Sequence, residues 1–244
     1  MKHIKRILHL AAATFFAAGT LTAAEPEKQP EWVTSAGLNF TLTSGNTETV
    51  LFGADINAAK KGKVNEYLLG AAGSYGENQS VKNNELLRGF GQWNRLFNER
   101  LYGFLRGEAF HDGIAGVKYR LTGAGGLGYY LIKSEGTRLS LEGAPGYVYE
   151  KLNSGENKFV TIRLAERFEQ KLSATARLWQ TAEYLPNVES WTRDYVVNAE
   201  LGVQADISKK LALRSVLSDT YDSTPSVGRK SNDLKLTTGV VYKF

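Results

Sequence analysis

Hydrophobic and polar residues alternate along almost the whole chain. Over residues 234–244, Leu234, Leu236, Thr238, Val240, Tyr242 and Phe244 share one side, and Lys235, Thr237, Gly239, Val241 and Lys243 share the other. A period of two predicts a strand with one apolar and one mostly polar face. Near the start, Trp32, Thr34, Ala36, Leu38, Phe40 and Leu42 form such a face, and Val50, Phe52, Ala54, Ile56 and Ala58 form the next, opposite Asp55 and Asn57. Tyr67, Leu69, Ala71 and Tyr75 continue the series. Leu121, Leu127, Tyr129 and Leu131 follow, then Leu139, Leu141, Pro145, Tyr147 and Tyr149 opposite Arg138, Ser140 and Glu142. Val160, Ile162 and Leu164 oppose Thr161, Arg163 and Arg167. Tyr195, Val197, Ala199, Leu201, Val203 and Ala205 oppose Asn198, Glu200 and Gln204. Leu211, Leu213, Ser215 and Leu217 oppose Arg214 and Ser218. Segments near 84–96 and 100–110 lack a purely apolar face: in the latter, Leu101, Leu105 and Ala109 oppose Tyr102, Phe104, Arg106, Glu108 and Phe110. With a further strand near 172–184, the count is about twelve.

Gly, Asn, Lys and Ser clusters separate these segments, as turns require. From the second connection onward, turns of about three or four residues alternate with longer loops, the longest being 219–231. The first connection, residues 44–47, is short although it belongs among the long ones. An even number of tilted strands of about ten residues or more, with short turns at one end, is the pattern of a membrane barrel. The expected fold is therefore all-β: a closed, antiparallel up-and-down transmembrane β-barrel over residues 32–244. An edge strand in a soluble sandwich is the competing explanation for the last segment alone.

The amino terminus follows different rules. Lys2, Lys5 and Arg6 precede an apolar run over residues 7–21, and Thr22, Ala23 and Ala24 supply small residues for cleavage. Residues 1–24 are expected to be a secretory signal peptide. No cysteine marks a lipoprotein site. Residues 25–31 are a polar, proline-containing lead-in, expected to be periplasmic. Without the signal's three basic residues, 27 basic and 25 acidic residues remain, so the basic pI largely disappears. No basic stripe remains to bind nucleic acid. The mean hydropathy of −0.30 suits a barrel that shows lipid only every second residue.

Little catalytic chemistry is legible. His111 is the sole histidine after the signal, and there is no cysteine. A triad or a transition-metal site has little to draw on. The glycine run at 123–128 lacks the following helix and Lys-Ser/Thr pair of a phosphate loop. No catalytic, cofactor or metal residues are assigned.

The informative set points inward: Arg88, Arg106, Glu108, Arg120, Glu142, Arg163, Glu200 and Arg214. Such charges either line water and set selectivity or pair into a plug. Basic residues outnumber acidic ones in this set, so a water path would favour anions. At the carboxy end, Thr237, Gly239, Tyr242 and Phe244 resemble the terminal signal read by the barrel assembly machinery.

Residues 42–49 (LTSGNTET), 101–110 (LYGFLRGEAF), 119–129 (YRLTGAGGLGY) and 139–150 (LSLEGAPGYVYE) resemble the YdiY-like proteins. These are a family of salt-stress-induced outer-membrane proteins of unestablished function. The resemblance spans essentially the whole chain after the signal. It implies an outer-membrane β-barrel and no catalytic residues. The expected protein is non-enzymatic, either structural or a narrow passive channel for small solutes, with outer-membrane lipids and the assembly machinery as partners. A lipid-modifying membrane enzyme and a secreted ligand-binding barrel are the alternatives.

Overall fold

The computed structural model describes residues 31–44, 49–78, 81–225 and 230–244. The signal, nearly all of the lead-in, the turn residues Gly45, Asn46 and Thr47, and Gly228 lie outside the described residues. Twelve strands follow in order: β1 (Val33–Ser44), β2 (Thr49–Lys61), β3 (Asn65–Asn78), β4 (Val81–Leu96), β5 (Leu101–Asp112) and β6 (Val117–Lys133) form the first half. The second half is β7 (Thr137–Leu152), β8 (Glu156–Lys171), β9 (Ala176–Pro186), β10 (Tyr195–Asp206), β11 (Leu211–Asp222) and β12 (Asn232–Lys243). Every strand pairs antiparallel with its chain neighbours, and β12 closes onto β1 from Ser35 opposite Lys243 to Ser44 opposite Leu234. Closure removes the free edges that make isolated sheets associate.

The two faces separate on most strands, β9 and the end of β6 being exceptions. Leu38, Leu105 and Leu127 are 73%, 59% and 57% exposed, whereas Ala212 and Val241 on the inner face are 0% and 1% exposed. Ile56, Leu69, Leu141, Leu164, Leu201, Val203, Leu213, Leu236 and Val240 extend the outer apolar band around the barrel. A continuous apolar girdle of this kind is unstable in water and matched to lipid. Aromatic residues bound it. Trp32, Tyr67, Trp93, Tyr129, Tyr242 and Phe244 lie towards the short-turn end, and Phe52, Tyr75, Tyr119, Tyr147 and Tyr221 towards the long-loop end. Tyr119 and Tyr129 are ten residues apart on β6. At a rise of about 3.3 Å per residue and a tilt of about 40°, this spans roughly 25 Å, the height of an outer-membrane apolar band.

Several strands run on past the alternating segments into the polar clusters between them. The connections at residues 113–116 and 153–155 are therefore no longer than the short turns, and the expected alternation of turn lengths does not hold there. Lys60 and Lys61 belong to β2, His111 and Asp112 to β5, Val117 and Lys118 to β6, and residues 169–171 to β8. Leu185 and Pro186 close β9, and residues 219–222 extend β11. Sequence polarity stops at the membrane surface, but a strand flanked on both sides keeps its hydrogen-bonded ladder into water.

Pro145 sits inside β7, where a missing N–H would normally break a central strand. Pairing of β6 and β7 skips from Ala124–Gly146 to Leu127–Gly143, leaving Gly125 and Gly126 beside the proline. A Cβ on Gly126 would meet the Gly143 carbonyl and Ala144, so only glycine allows this approach. On the lipid side the gap leaves a hollow of about 570 Å³ bordered by Leu105, Gly107, Gly123, Pro145 and Tyr147.

Candidate functional site in the lumen

The inner wall is built in layers, beginning with glycines. Three inward glycines have an aromatic residue directly across the ladder: Gly70 and Phe90, Gly128 and Tyr102, Gly202 and Trp179. A Cβ on any of the three would run into the partner ring. The rings therefore lie flat against bare backbone and thicken the wall. Cations then sit on rings. The Arg106 guanidinium lies 4.4 Å from the Phe90 centroid, Arg177 lies 5.6 Å from Trp179, and Arg163 lies 5.7 Å from Phe104. Such contacts contribute about 0.5–2 kcal/mol, more where water is excluded.

The charges occupy three levels. Towards the long loops, Arg120 pairs with the buried Glu150, which also accepts from Asn157 Nδ2 at 3.3 Å. In the middle, Glu108 Oε2 accepts from Arg88 at 2.9 Å and from Arg106 at 3.0 Å. Arg163 bridges Glu142 and Glu183, at 2.5 Å each. Arg214 reaches Asp55 at 2.5 Å, and Asp55 also accepts from Asn39 and Asn57 at 2.8 Å. Glu142 gathers Gln92 Nε2 at 2.8 Å and the Tyr102 hydroxyl at 2.9 Å. Glu200 accepts from Trp179 Nε1 at 2.6 Å. Between the Arg106 and Arg163 groups lies a small cavity lined by Arg106, Glu108, Thr122, Arg163 and Glu183, large enough for water.

Near the short turns, the Glu66 carboxylate is 5% exposed and accepts from the Tyr130 hydroxyl at 2.7 Å and Asn94 Nδ2 at 3.1 Å. Lys61 on β2 meets Glu169 on β8 at 3.5 Å. Those strands are six apart in either direction around the ring, so this ion pair crosses the lumen from wall to wall.

The eight charges expected inside thus fall into several groups. Arg88, Arg106 and Glu108 form one cluster, and Arg163 and Glu142 form another, linked to the first because Arg106 Nη1 donates to Gln92 at 3.2 Å. Arg120, Glu200 and Arg214 stand apart from these. The expected basic excess does not persist locally, because each of the five arginines has a carboxylate partner: Glu108, Glu150, Glu142, Glu183 or Asp55. Sequence reasoning missed Glu66, Glu150, Glu169 and Glu183 as inner residues. Even parity on β3 and β7 would have found the first two, and odd parity on β8 and β9 the others. Arg214 and Asp55 lie three strands apart, as do Gln92 and Glu142, and no local pattern reports such distances.

His111 and Asp112 do not work together. His111 Nδ1 donates to the Lys118 carbonyl at 2.8 Å. The Asp112 carboxylate accepts from the Ile114 and Ala115 amides of its own turn, at 3.0 and 2.7 Å. At the terminal row, the Tyr242 and Phe244 rings pack 5.1 Å apart, Thr237 and Gly239 lie in β12 with inward parity, and the Phe244 amide donates to the Thr34 carbonyl at 3.1 Å.

Closed twelve-strand topology with lipid-facing aromatic girdles is the architecture of outer-membrane porins and channels. The chain superposes on the NanC porin with a TM-score of 0.57 and 7% identity, covering 87% of this chain and all of that one. An outer membrane channel from Pseudomonas putida F1 gives 0.54 and 8%, covering 91% and 100%. The KdgM porin in complex with disordered oligogalacturonate gives 0.51 and 9%, covering 86% and 99%. At these identities the likeness is one of fold. By sequence, residues 35–244 match the protein family of unknown function DUF481, and the chain belongs to that family. None of the curated proteins matches it.

Proposed function

We propose that the protein is a non-enzymatic outer-membrane barrel that acts as a narrow passage for small solutes, its middle level occupied by paired charges. The observation that carries this is the linked network of Arg88, Glu108, Arg106, Gln92, Glu142, Arg163 and Glu183, which joins β4, β5, β7, β8 and β9 across the inner wall. Twelve strands enclose much less space than the sixteen to eighteen of wide porins, and side chains fill much of it here. Among the described residues, His111 and Asp112 make separate contacts, which speaks against the lipid-modifying enzyme. Thr237, Gly239, Tyr242 and Phe244 are proposed as the segment read during assembly. The salt-stress link implied by the YdiY-like resemblance also belongs to this proposal, and protein levels compared in high salt and in an iso-osmotic sugar would test it.

Planar-bilayer recording of the mature protein tests the passage. Wild type should give small steps. Arg106→Ala should enlarge them, or lower thermal stability, because Glu108 and Gln92 lose a partner. Large open-porin steps from wild type would overturn the proposal. So would an Arg106→Ala protein unchanged in both conductance and stability.

A further inference from the structure

The short-turn mouth of the lumen has a different charge balance from its middle. Inward-facing Lys61, Lys133, Arg138, Arg167, Lys171, Arg177 and Lys243 gather there with Glu66, Glu169 and Asp206, seven cations against three carboxylates among the described residues. Asp206 is held by Lys243 at 2.7 Å, and Glu66 by Tyr130 and Asn94. Lys61, Arg138, Arg167 and Arg177 therefore share Glu169. Arg167 meets it at 2.8 Å, Lys61 at 3.5 Å, and Arg138 is its direct cross-strand neighbour. Arg177 feels the charges of Glu169, Arg167, Arg214 and Asp206, and among the described residues it donates to the neutral Gln204 amide, at 3.0 Å. Among the described residues, neither Arg138 nor Arg177 forms an ion pair.

We infer that this mouth is a binding site for small multivalent anions, taken up by Arg138, Arg167 and Arg177 from one wall and Lys61 from the other. The three arginines lie on three consecutive strands, so their backbones span about 10 Å across the strands at the usual spacing, with Arg138 level with Glu169 and Arg177 level with Lys171. That suits a solute with two or three carboxylate or phosphate groups better than a single small ion. Guanidiniums take such groups in paired hydrogen bonds. The inference deepens the passage proposed above by naming its solute class, but binding can be read without any current.

The test uses full-length mature protein folded in zwitterionic detergent. Trp179 lies under Arg177 and opposite Glu169 in the ladder, so its fluorescence reports the site, with calorimetry as a second readout. Citrate and pyrophosphate should each bind saturably, their relative affinity separating carboxylate from phosphate preference. Acetate at matched ionic strength should not bind. Arg138→Gln and Arg177→Gln should each weaken citrate binding about tenfold, the scale of a lost charge-assisted hydrogen bond. Lys82→Gln, at the long-loop rim, should leave it unchanged. Equal responses to acetate and citrate would overturn the inference. So would unchanged citrate affinity in arginine variants that still show heat-modifiable migration. A barrel that binds citrate but passes no current keeps the site and loses the passage. Current without citrate binding does the reverse.

Discussion

Arg163→Met is the sharpest perturbation of the lumen. The Arg163 side chain is 10% exposed and neutralises Glu142 and Glu183, themselves 12% and 15% exposed. Methionine fills much of the same volume but leaves both carboxylates without their cation. Glu142 keeps Gln92 and Tyr102, and Glu183 keeps Asn198 Nδ2 at 3.2 Å. Breaking a buried pair from one side costs about 3–5 kcal/mol, and the surviving hydrogen bonds place this case towards the lower end. Urea unfolding of the protein in lipid vesicles should therefore show a loss of about 3 kcal/mol. The triple variant Arg163→Met, Glu142→Gln, Glu183→Gln should recover most of it, since a buried charge network replaced by neutral groups of similar volume is close to neutral. A single-variant loss below about 1 kcal/mol, the scale of exposed pairs, would refute the reasoning. It would mean that bulk water reaches Arg163 and the middle of the barrel is open.

Other perturbations separate the faces and layers of the wall. Leu201→Arg places a charge in the lipid-facing band and should cost about 2–4 kcal/mol, whereas Asn198→Arg on the lumen side should cost clearly less in the same unfolding assay. Equal tolerance would mean the register is displaced by one residue. Gly128→Ala drives a methyl into the Tyr102 ring, which is 1% exposed, and should cost about 1–3 kcal/mol by overpacking. Gly107→Ala, with nothing within 4 Å of its new methyl, should be neutral or slightly stabilising, and a larger loss there than at Gly128 would contradict the layered wall.

The barrel itself is legible in the sequence because lipid enforces a strict alternation that few other environments demand. Strands β4, β5 and β9 are harder to read, and the cause is physical. Phe90, Tyr102, Phe104, Phe110 and Trp179 all project inward, where they cover glycines or carry guanidiniums. An aromatic residue thus ceases to mark the lipid side. The partners of the arginines are harder still. The pairing of Arg214 with Asp55 depends on how far β11 and β2 are displaced along the barrel axis, which strand tilt sets and side-chain periodicity does not. Residues such as Lys61 and Glu169 look like turn punctuation, and only closure of the ring brings them face to face.

That wall-to-wall contact has a mechanical consequence. A hoop of twelve strands resists stretching around its circumference through its hydrogen bonds, but it can flatten into an ellipse at little cost. The bond from Lys61 to Glu169 ties opposite points of the hoop like a spoke. At 3.5 Å and about one third exposed, the pair opposes widening along its own diameter by about 1 kcal/mol at most. Lateral pressure from the surrounding bilayer acts on the same shape, so bilayer tension and the spoke pull on a single degree of freedom, the roundness of the mouth.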